Sequence, residues 1–304
     1  MSVWVDLNAA GFVIIQSAVT AELTRTGAIH RVRQVLLGRC PGPVRVTLAT
    51  GLLSTVLTND AALIAIGSLV THGVRRPHHV LLPALVAANS LGAITPLGNP
   101  QNAIIYAHYR VDAREFVATQ LPVALALMVP GLVYALLRAE SPTPTSGPNP
   151  KLPELAAMVM AAACLLMHVP LYWRFPPLLA GYAALRPRAV REVDWVIAVL
   201  LTAAILLPHG LRELGWHPRI SDPFLGALLM SQVISNVPAT VVLAPGTSDW
   251  RDLLHGVTVG GFGTPLASIA NLIALRMAGG GVRAYVVVQS ACLALGTLAH
   301  YAVA

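Results

Sequence analysis

The residues best suited to chemistry are polar side chains that interrupt long apolar stretches. Thr58-Asn59-Asp60 lies between the apolar runs 52–57 and 61–70. A carboxylate at the centre of a bilayer costs about 2.5–3.5 kcal/mol on insertion scales and marks a functional site by default. We therefore predict that Asp60 binds Na⁺, carries a proton, or does both. The alternative is an aspartate that only caps the helix following it.

A second polar tip occurs later in the chain, at Ser235-Asn236-Val237-Pro238. Asparagine does not titrate, but its amide coordinates cations or donates to anions. Pro238 suits the first turn of a half-helix. The two tips together predict a coupling-ion site, with Na⁺ at Asn59, Asp60 and Asn236 as one occupant. The candidate residues of this site are Thr58, Asn59, Asp60, Ser235 and Asn236.

Two further segments place prolines inside apolar sequence, TPLGNPQN at Thr95–Asn102 and TPLASIAN at Thr264–Asn271. A broken helix exposes N–H groups at one half-helix end, which hold anions, and carbonyls at the other, which hold cations. The alternative is a proline kink packed between helices. The predicted substrate-binding residues are Thr95, Asn99, Gln101, Asn102, Thr264, Ser268 and Asn271.

The elements that must position these residues are predicted to be membrane helices. The chain is 56% hydrophobic and only 11% charged, with a mean hydropathy of +0.68, whereas a soluble domain carries about 25% charged residues. Uncharged stretches such as 121–137 approach the roughly 20 residues that cross a bilayer core. Because backbone polar groups in lipid need internal partners, we predict an all-α polytopic protein of the cell (inner) membrane.

Composition and motifs also argue against other classes. In a soluble protein the net charge of +7 would indicate nucleic acid as a partner, but here the arginines fall in loops, as the positive-inside rule requires, so we expect none. HExxH, CxxC, Walker A and GxSxG patterns are absent, and Cys40, Cys164 and Cys292 are far apart. We therefore predict neither an enzyme nor a bound metal cofactor, beyond H⁺ or Na⁺ as the coupling ion. A passive channel, with flux that needs no coupling, is a further alternative.

The polar tips and the breaks belong to an internal repeat. Five of ten positions are identical between Thr95–Ile104 and Thr264–Ile273, and VLTNDAALI from Val56 matches VISNVPATV from Val233. VDL at 5–7 likewise matches VDW at 193–195. Residues 139–153 contain five prolines and are predicted to be a linker. The predicted units are an N-terminally short first repeat at 1–138, the linker at 139–153 and the second repeat at 154–304.

Loop charge predicts how the repeats are oriented. If each asparagine hairpin is re-entrant, fourteen of the 20 Lys and Arg residues face the cytoplasm. Two extra helices in the second half then place the two hairpins on opposite sides of the membrane, which defines inverted repeats. Each repeat would contain a re-entrant hairpin and a broken transmembrane helix. The predicted spans are 5–20, 80–107, 119–138, 152–169, 171–186, 192–208, 256–276 and 283–303.

The motifs TNDAAL, TPLGNPQN, VDW, SQVISNVPAT and TPLASIANLIAL resemble the ion transporter superfamily of arsenite permeases, sodium/proton antiporters and citrate or dicarboxylate carriers. The resemblance implies a scaffold domain, often dimeric, and a moving transport domain with two re-entrant hairpins. It also implies that the Asn59 and Asn236 tips and the breaks at Thr95 and Thr264 form the ion and substrate sites. Dicarboxylate carriers bear Ser-Asn-Thr at both tips, so Asp60 is more similar to the arsenite-permease and antiporter branches.

These observations predict a secondary active transporter. It would move a small anion or metalloid oxyanion across the cell membrane by alternating access, coupled to H⁺ or Na⁺. Its expected partners are the lipid bilayer, the substrate and a second copy of the chain. The alternative is a Na⁺/H⁺ antiporter that has no anion substrate.

Overall fold

A computed structural model describes residues 42–70, 74–138 and 221–303, with a few single positions between 180 and 215. Within these ranges the chain forms ten α-helices and no strands, so the predicted all-helical class is confirmed for the described residues. The helices are α1 (Pro43–Ser54), α2 (Asn59–Val70), α3 (His78–Gly92), α4 (Pro100–Tyr109), α5 (Ala113–Arg138), α6 (Pro223–Ile234), α7 (Asn236–Leu243), α8 (Trp250–Gly260), α9 (Ile269–Ala278) and α10 (Val282–Val303).

The same order of elements occurs twice. A helical hairpin, α1–α2 or α6–α7, comes first, and its two helices pack together. A broken helix follows, α3 and α4 in the first half and α8 and α9 in the second. A long helix, α5 or α10, ends each series. The predicted linker at 139–153, the spans 5–20 and 152–169, and most of the spans 171–186 and 192–208 lie outside the described residues.

Local sequence explains where the helices stop and start. Pro100 occupies the first turn of α4, where a missing N–H costs no hydrogen bond. Side chains of Asp222 and Asp249 accept the backbone N–H groups of Leu225 and Asp252 and so cap α6 and α8. Asp112 likewise accepts from the N–H of Arg114. This capping explains why α5 begins at Ala113, earlier than the predicted start at residue 119.

Each half packs the second helix of its hairpin onto the broken helix of the other half, an arrangement that we call exchanged packing. The second hairpin helix of the first half, α2, packs against α9, the second piece of the other half's broken helix. Helix α7 packs in the same manner against α4. The first pieces also match, because α3 contacts α9 and α8 contacts α4. Each half therefore packs the second helix of its hairpin and both pieces of its broken helix against the other half.

The core lies where α3, α5, α8, α9 and α10 meet. Leu81, Leu85, Leu127 and Phe262 are fully buried there. Helices approach closely at Gly296, where an added Cβ would lie 2.6 Å from Leu127 Cδ2 and 2.9 Å from Val259 Cγ2. Small residues at such crossings are typical of helix packing in membranes, because dispersion contacts replace the hydrophobic effect there.

Two described helices, α5 and α10, are long and apolar enough to cross a bilayer. The shorter α6 and α9 are also apolar. One face of α5 exposes large hydrophobic side chains, including Leu125, Val133 and Leu136, while its other face packs on α3 and α10. Such a helix suits a membrane protein, whose outer surface contacts lipid.

Candidate functional site

The first hairpin tip is fixed by hydrogen bonds of Asn59, a residue only 3% exposed. Its backbone N–H donates to the Gly98 carbonyl over 2.8 Å, which joins the tip to the break between α3 and α4. Its side-chain Nδ2 donates to Asn89 Oδ1 over 2.7 Å. Its Oδ1 accepts the Asp60 N–H over 2.9 Å. Both polar atoms of the Asn59 side chain therefore make hydrogen bonds in this structure, and Oδ1 retains a lone pair for a further partner.

Asp60 lies in the first turn of α2, one residue beyond the helix start at Asn59. Its negative charge is there close to the positive end of the helix dipole. Its Oδ1 is buried and receives no hydrogen bond from the described residues. An aspartate serving only as a cap would accept a backbone N–H, so this oxygen is free for another partner.

Five buried side-chain oxygens without a hydrogen-bond partner lie in the first half, on α2, on α3, at the N-cap of α4 and in the first turn of α4. They are Asp60 Oδ1, Ser90 Oγ, Asn99 Oδ1, Gln101 Oε1 and Asn102 Oδ1. Buried polar atoms are nearly always satisfied, so each unsatisfied one requires an explanation. Oxygen donors with one carboxylate are the ligands that hard cations prefer. The residues present therefore fit Na⁺, and the carboxylate also fits a proton.

Asn102 and Asn271 make equivalent hydrogen bonds at the two breaks. Asn102 Nδ2 donates to the carbonyls of Gly92 (3.4 Å) and Thr95 (2.8 Å), which precede it by ten and seven residues. Asn271 Nδ2 donates to the carbonyls of Gly261 (3.0 Å) and Thr264 (3.1 Å), with the same two spacings. The amides thus add to the backbone hydrogen bonds of the breaks, where the Thr95 and Thr264 carbonyls also accept the N–H groups of Gly98 (3.4 Å) and Ala267 (3.1 Å).

The break threonines also have matching bonds. Thr95 Oγ1 donates to the Thr55 carbonyl over 2.6 Å, and Thr264 Oγ1 donates to the Gln232 carbonyl over 2.8 Å. Each acceptor precedes its tip asparagine by four residues. Both hydroxyls, predicted to bind substrate, therefore join a break to a hairpin in this conformation.

Asn89, which sequence reasoning missed, connects the two halves. It accepts from Asn59 on one side, and its Nδ2 donates to Asn271 Oδ1 over 3.3 Å on the other. Asn89 is 5% exposed and Asn271 is fully buried. The first hairpin tip and the second break thus share one amide chain. The signal in the sequence was a polar residue inside the apolar helix α3. The repeat alignment does not include this position.

The second tip has a strained backbone. Ser235 has φ +74° and ψ 152°, a conformation that costs a non-glycine residue about 1–3 kcal/mol. Asn236 is 4% exposed and lies beside the second break, since a Cβ on Gly261 would come within 2.8 Å of Asn236 Nδ2. Such a strained conformation persists only where the surrounding structure maintains it.

Gln232 is a second residue that sequence reasoning missed. Its Nε2 donates to the carbonyls of Gly260 (2.8 Å) and Phe262 (2.9 Å), and its Oε1 accepts the Thr264 N–H over 2.9 Å. It therefore holds the second break against the second hairpin. A glutamine in the otherwise apolar α6 was the signal in the sequence.

The remaining predicted residues also lie at the tips and breaks. Thr58 (5% exposed) directly precedes α2, and Gln101 (1%) lies in the first turn of α4. Asn99 and Ser268 are the equivalent N-cap residues of α4 and α9, both in extended backbone and both without a side-chain cap hydrogen bond. The structure thus gathers the first-half residues around one tip and break. It connects them to the second half through Asn271.

Paired helical hairpins, paired broken helices and buried polar tips are features of membrane transporters. The sequence profile of the CitMHS family, described as citrate transporter, matches residues 1–260. The chain therefore belongs to this citrate transporter family, within the ion transporter and anion permease superfamily that its motifs resemble. It is a multi-pass protein of the cell membrane.

Among relatives of the chain, one is named an inner membrane protein and two are named transporters. The chain is 33% identical over 254 residues to the inner membrane protein YbiR of Escherichia coli, covering 76% of this chain and 68% of that protein. It is 28% identical over 247 residues to the uncharacterized transporter MJ0456 of Methanocaldococcus jannaschii, covering 76% and 69%. It is 28% identical over 132 residues to the silicon efflux transporter LSI3 of Oryza sativa, covering 41% and 27%.

Proposed function

We propose that this protein is a secondary active transporter that moves a small anion or metalloid oxyanion species, coupled to H⁺ or Na⁺, by alternating access. The observation that carries the proposal is the buried, unpartnered Oδ1 of Asp60, in the first turn of α2 and next to a tip that is hydrogen-bonded to the first break. In this proposal Asp60 is the coupling-ion residue, with Thr58, Asn59, Ser235 and Asn236 at the two tips. A carboxylate in this position binds Na⁺ or a proton, and either ion neutralises its buried charge.

The architecture in this proposal is a pair of inverted repeats, residues 1–138 and 154–304, joined by the linker 139–153 and each containing a re-entrant hairpin. The equivalent bonds of Asn102 and Asn271 support two copies of one unit. The exchanged packing of α2 on α9 and α7 on α4 supports a two-fold relation between them. Inverted repeats of this kind place ion and substrate sites at their interface. A homodimer in the bilayer is part of the proposal.

The substrate side of the proposal rests on the starts of α4 and α9. Asn99 and Ser268 leave the first N–H groups of these helices without a side-chain cap. Such N–H groups, at the positive end of the helix dipole, attract anionic or strongly polar oxygen groups. The names of related proteins mention citrate and silicon. Both fit an oxygen-rich small substrate, and we propose that class here.

Proteoliposomes with a pH-sensitive dye inside test the proposal directly. We expect no proton movement from a Na⁺ gradient alone, and a signal once citrate, arsenite or silicic acid is added. Proton movement driven by Na⁺ alone would instead favour a Na⁺/H⁺ antiporter without an anion substrate. Substrate flux that continues without any ion gradient and without saturation would favour a passive channel.

Asp60→Asn tests the residue that carries the proposal. We expect this variant to lose ion-coupled transport by tenfold or more, because the amide binds neither a proton nor a cation with the strength of a carboxylate. Asp112→Asn is the matched control, since Asp112 is exposed and asparagine also caps a helix. Unchanged coupling in Asp60→Asn would remove Asp60 from the mechanism.

A further inference from the structure

Two buried histidines contact each other on helices that do not carry Asp60. His255 on α8 is 4% exposed and His300 on α10 is 2% exposed. Their Nδ1 atoms are 3.1 Å apart. His255 Nε2 lies 3.0 Å from the Thr119 carbonyl oxygen of α5. The three groups form a chain across three helices, and the transport site described above uses none of them.

The hydrogen bonds fix which nitrogens carry protons. A carbonyl only accepts, so His255 Nε2 is the donor to Thr119. In neutral His255 the Nδ1 is then an acceptor, and His300 Nδ1 must donate to it. Neutral His300 consequently has its Nε2 free of hydrogen. The neutral pair therefore has a single arrangement of protons: His300 Nδ1–H donates to His255 Nδ1, and His255 Nε2–H donates to the Thr119 carbonyl.

This arrangement limits the pair to one additional proton. A proton added at His300 Nε2 leaves both existing hydrogen bonds in place and makes His300 an imidazolium. A second proton would have to enter at His255 Nδ1, which would place two N–H groups face to face across 3.1 Å. Like charges at such a distance oppose each other strongly in a buried site. The pair therefore takes up protons as one unit.

Burial opposes a positive charge on His300, and several neighbouring groups offset part of that cost. The Phe224 ring stacks on His300 with centroids 3.7 Å apart and an interplanar angle of 9°, and an aromatic face attracts a cation. The charges of Asp222, at the start of α6, and of Asp249 and Asp252, at the start of α8, act on His300. Glu115, near the start of α5, forms an ion pair with Arg251 of α8. Tyr301 lies beside His300 on α10.

We propose that His255 and His300 form a buried binding site for one proton, which enters at His300 Nε2 from the end of the molecule that carries Asp222, Asp249 and Asp252. This site is separate from the coupling-ion site at Asp60. A metal ion is a poorer occupant, because the described residues contain no group of three or more His, Cys, Asp or Glu side chains that could hold one. The proposal gives the second half of the protein a proton site that the repeat alignment does not contain.

Imidazole ¹⁵N spectra of the full protein, labelled on histidine and held in lipid nanodiscs, test this assignment. The two residues are assigned by the loss of signals in His255→Phe and His300→Phe. Between about pH 8 and pH 5, the range in which histidines titrate, we expect His300 to gain a proton at Nε2. His255 should remain the neutral Nε2–H tautomer throughout.

His300→Asn is the informative variant, because the asparagine Nδ2 takes the place of Nδ1 and keeps the bond to His255. In this variant we expect His255 to keep its neutral tautomer while the proton uptake disappears. Asp60→Asn should leave the His300 titration unchanged, which separates this site from the proposed function. A doubly protonated His255 in the wild type, or no proton uptake by His300 over this range, would overturn the proposal.

Discussion

At the scale of single residues, Asn89 shows how one amide can connect two sites. It accepts from the first tip and donates to the second break, so two hydrogen bonds join the two halves at this residue. Buried amides of this kind are costly when one partner is lost, because the remaining donor or acceptor stays desolvated. The residue itself needs no contact with substrate to affect transport.

Asn89→Ala is expected to lower the free energy of unfolding by about 2–5 kcal/mol, because it leaves Asn59 Nδ2 and Asn271 Oδ1 unsatisfied. Thermal unfolding in detergent measures the effect. Ser90→Ala is the control in the same turn of α3, since the Ser90 hydroxyl has no hydrogen bond to lose in the described structure. Equal stabilities of the two variants would contradict the connecting role of Asn89.

At the scale of elements, the break between α3 and α4 brings the backbone of Gly98 close to the backbone of its neighbours. A Cβ on Gly98 would collide with the carbonyls of Gly92 and Ser54. The carbonyl of Gly98 itself accepts the Asn59 N–H, so the break and the hairpin tip meet at this residue. Proline in the sequence predicted that the helix breaks, but the loop's close contact with the hairpin depends on three-dimensional packing.

Gly98→Ala is therefore expected to destabilise the protein by about 1–3 kcal/mol or more, since backbone atoms cannot move aside as a flexible side chain does. It should also reduce coupled transport, because the first tip is displaced from the break. Gly42→Ala is the matched control, because an added Cβ there meets nothing within 4 Å. A Gly98→Ala protein with wild-type melting temperature would refute the close packing at this break.

At the scale of the whole molecule, the repeat in the sequence predicted much of the architecture. The matching motifs placed both hairpins and both breaks, and the prolines at 96, 100 and 265 explain why these helices stop. Side-chain partners were not predictable in the same way. Asn89, Gln232, His255 and His300 differ between the repeats or lie outside the motifs, so only their positions in the folded chain show what they contact.

The exchanged packing makes a prediction about separated halves. Residues 1–138 and 154–304, produced together as two chains, are expected to assemble and to copurify through a tag on one of them. The physical reason is that α2 packs on α9 and α4 packs on α7. The predicted linker has the composition of a spacer, so we expect that assembly does not depend on it. Either half produced alone should aggregate or be degraded. Stable, separate halves that do not copurify would contradict this packing.

The same exchange has a consequence for biogenesis. The ribosome releases α2 about 200 residues before α9, because Asn59 begins the one and Ile269 begins the other. During that interval Asn89, which accepts from Asn59, lacks its partner Asn271 on α9. We therefore expect the first half to stay incompletely packed until the second half has entered the membrane. A ribosome pause before residue 269 would lengthen this stage, and folding yield should fall with the length of the pause.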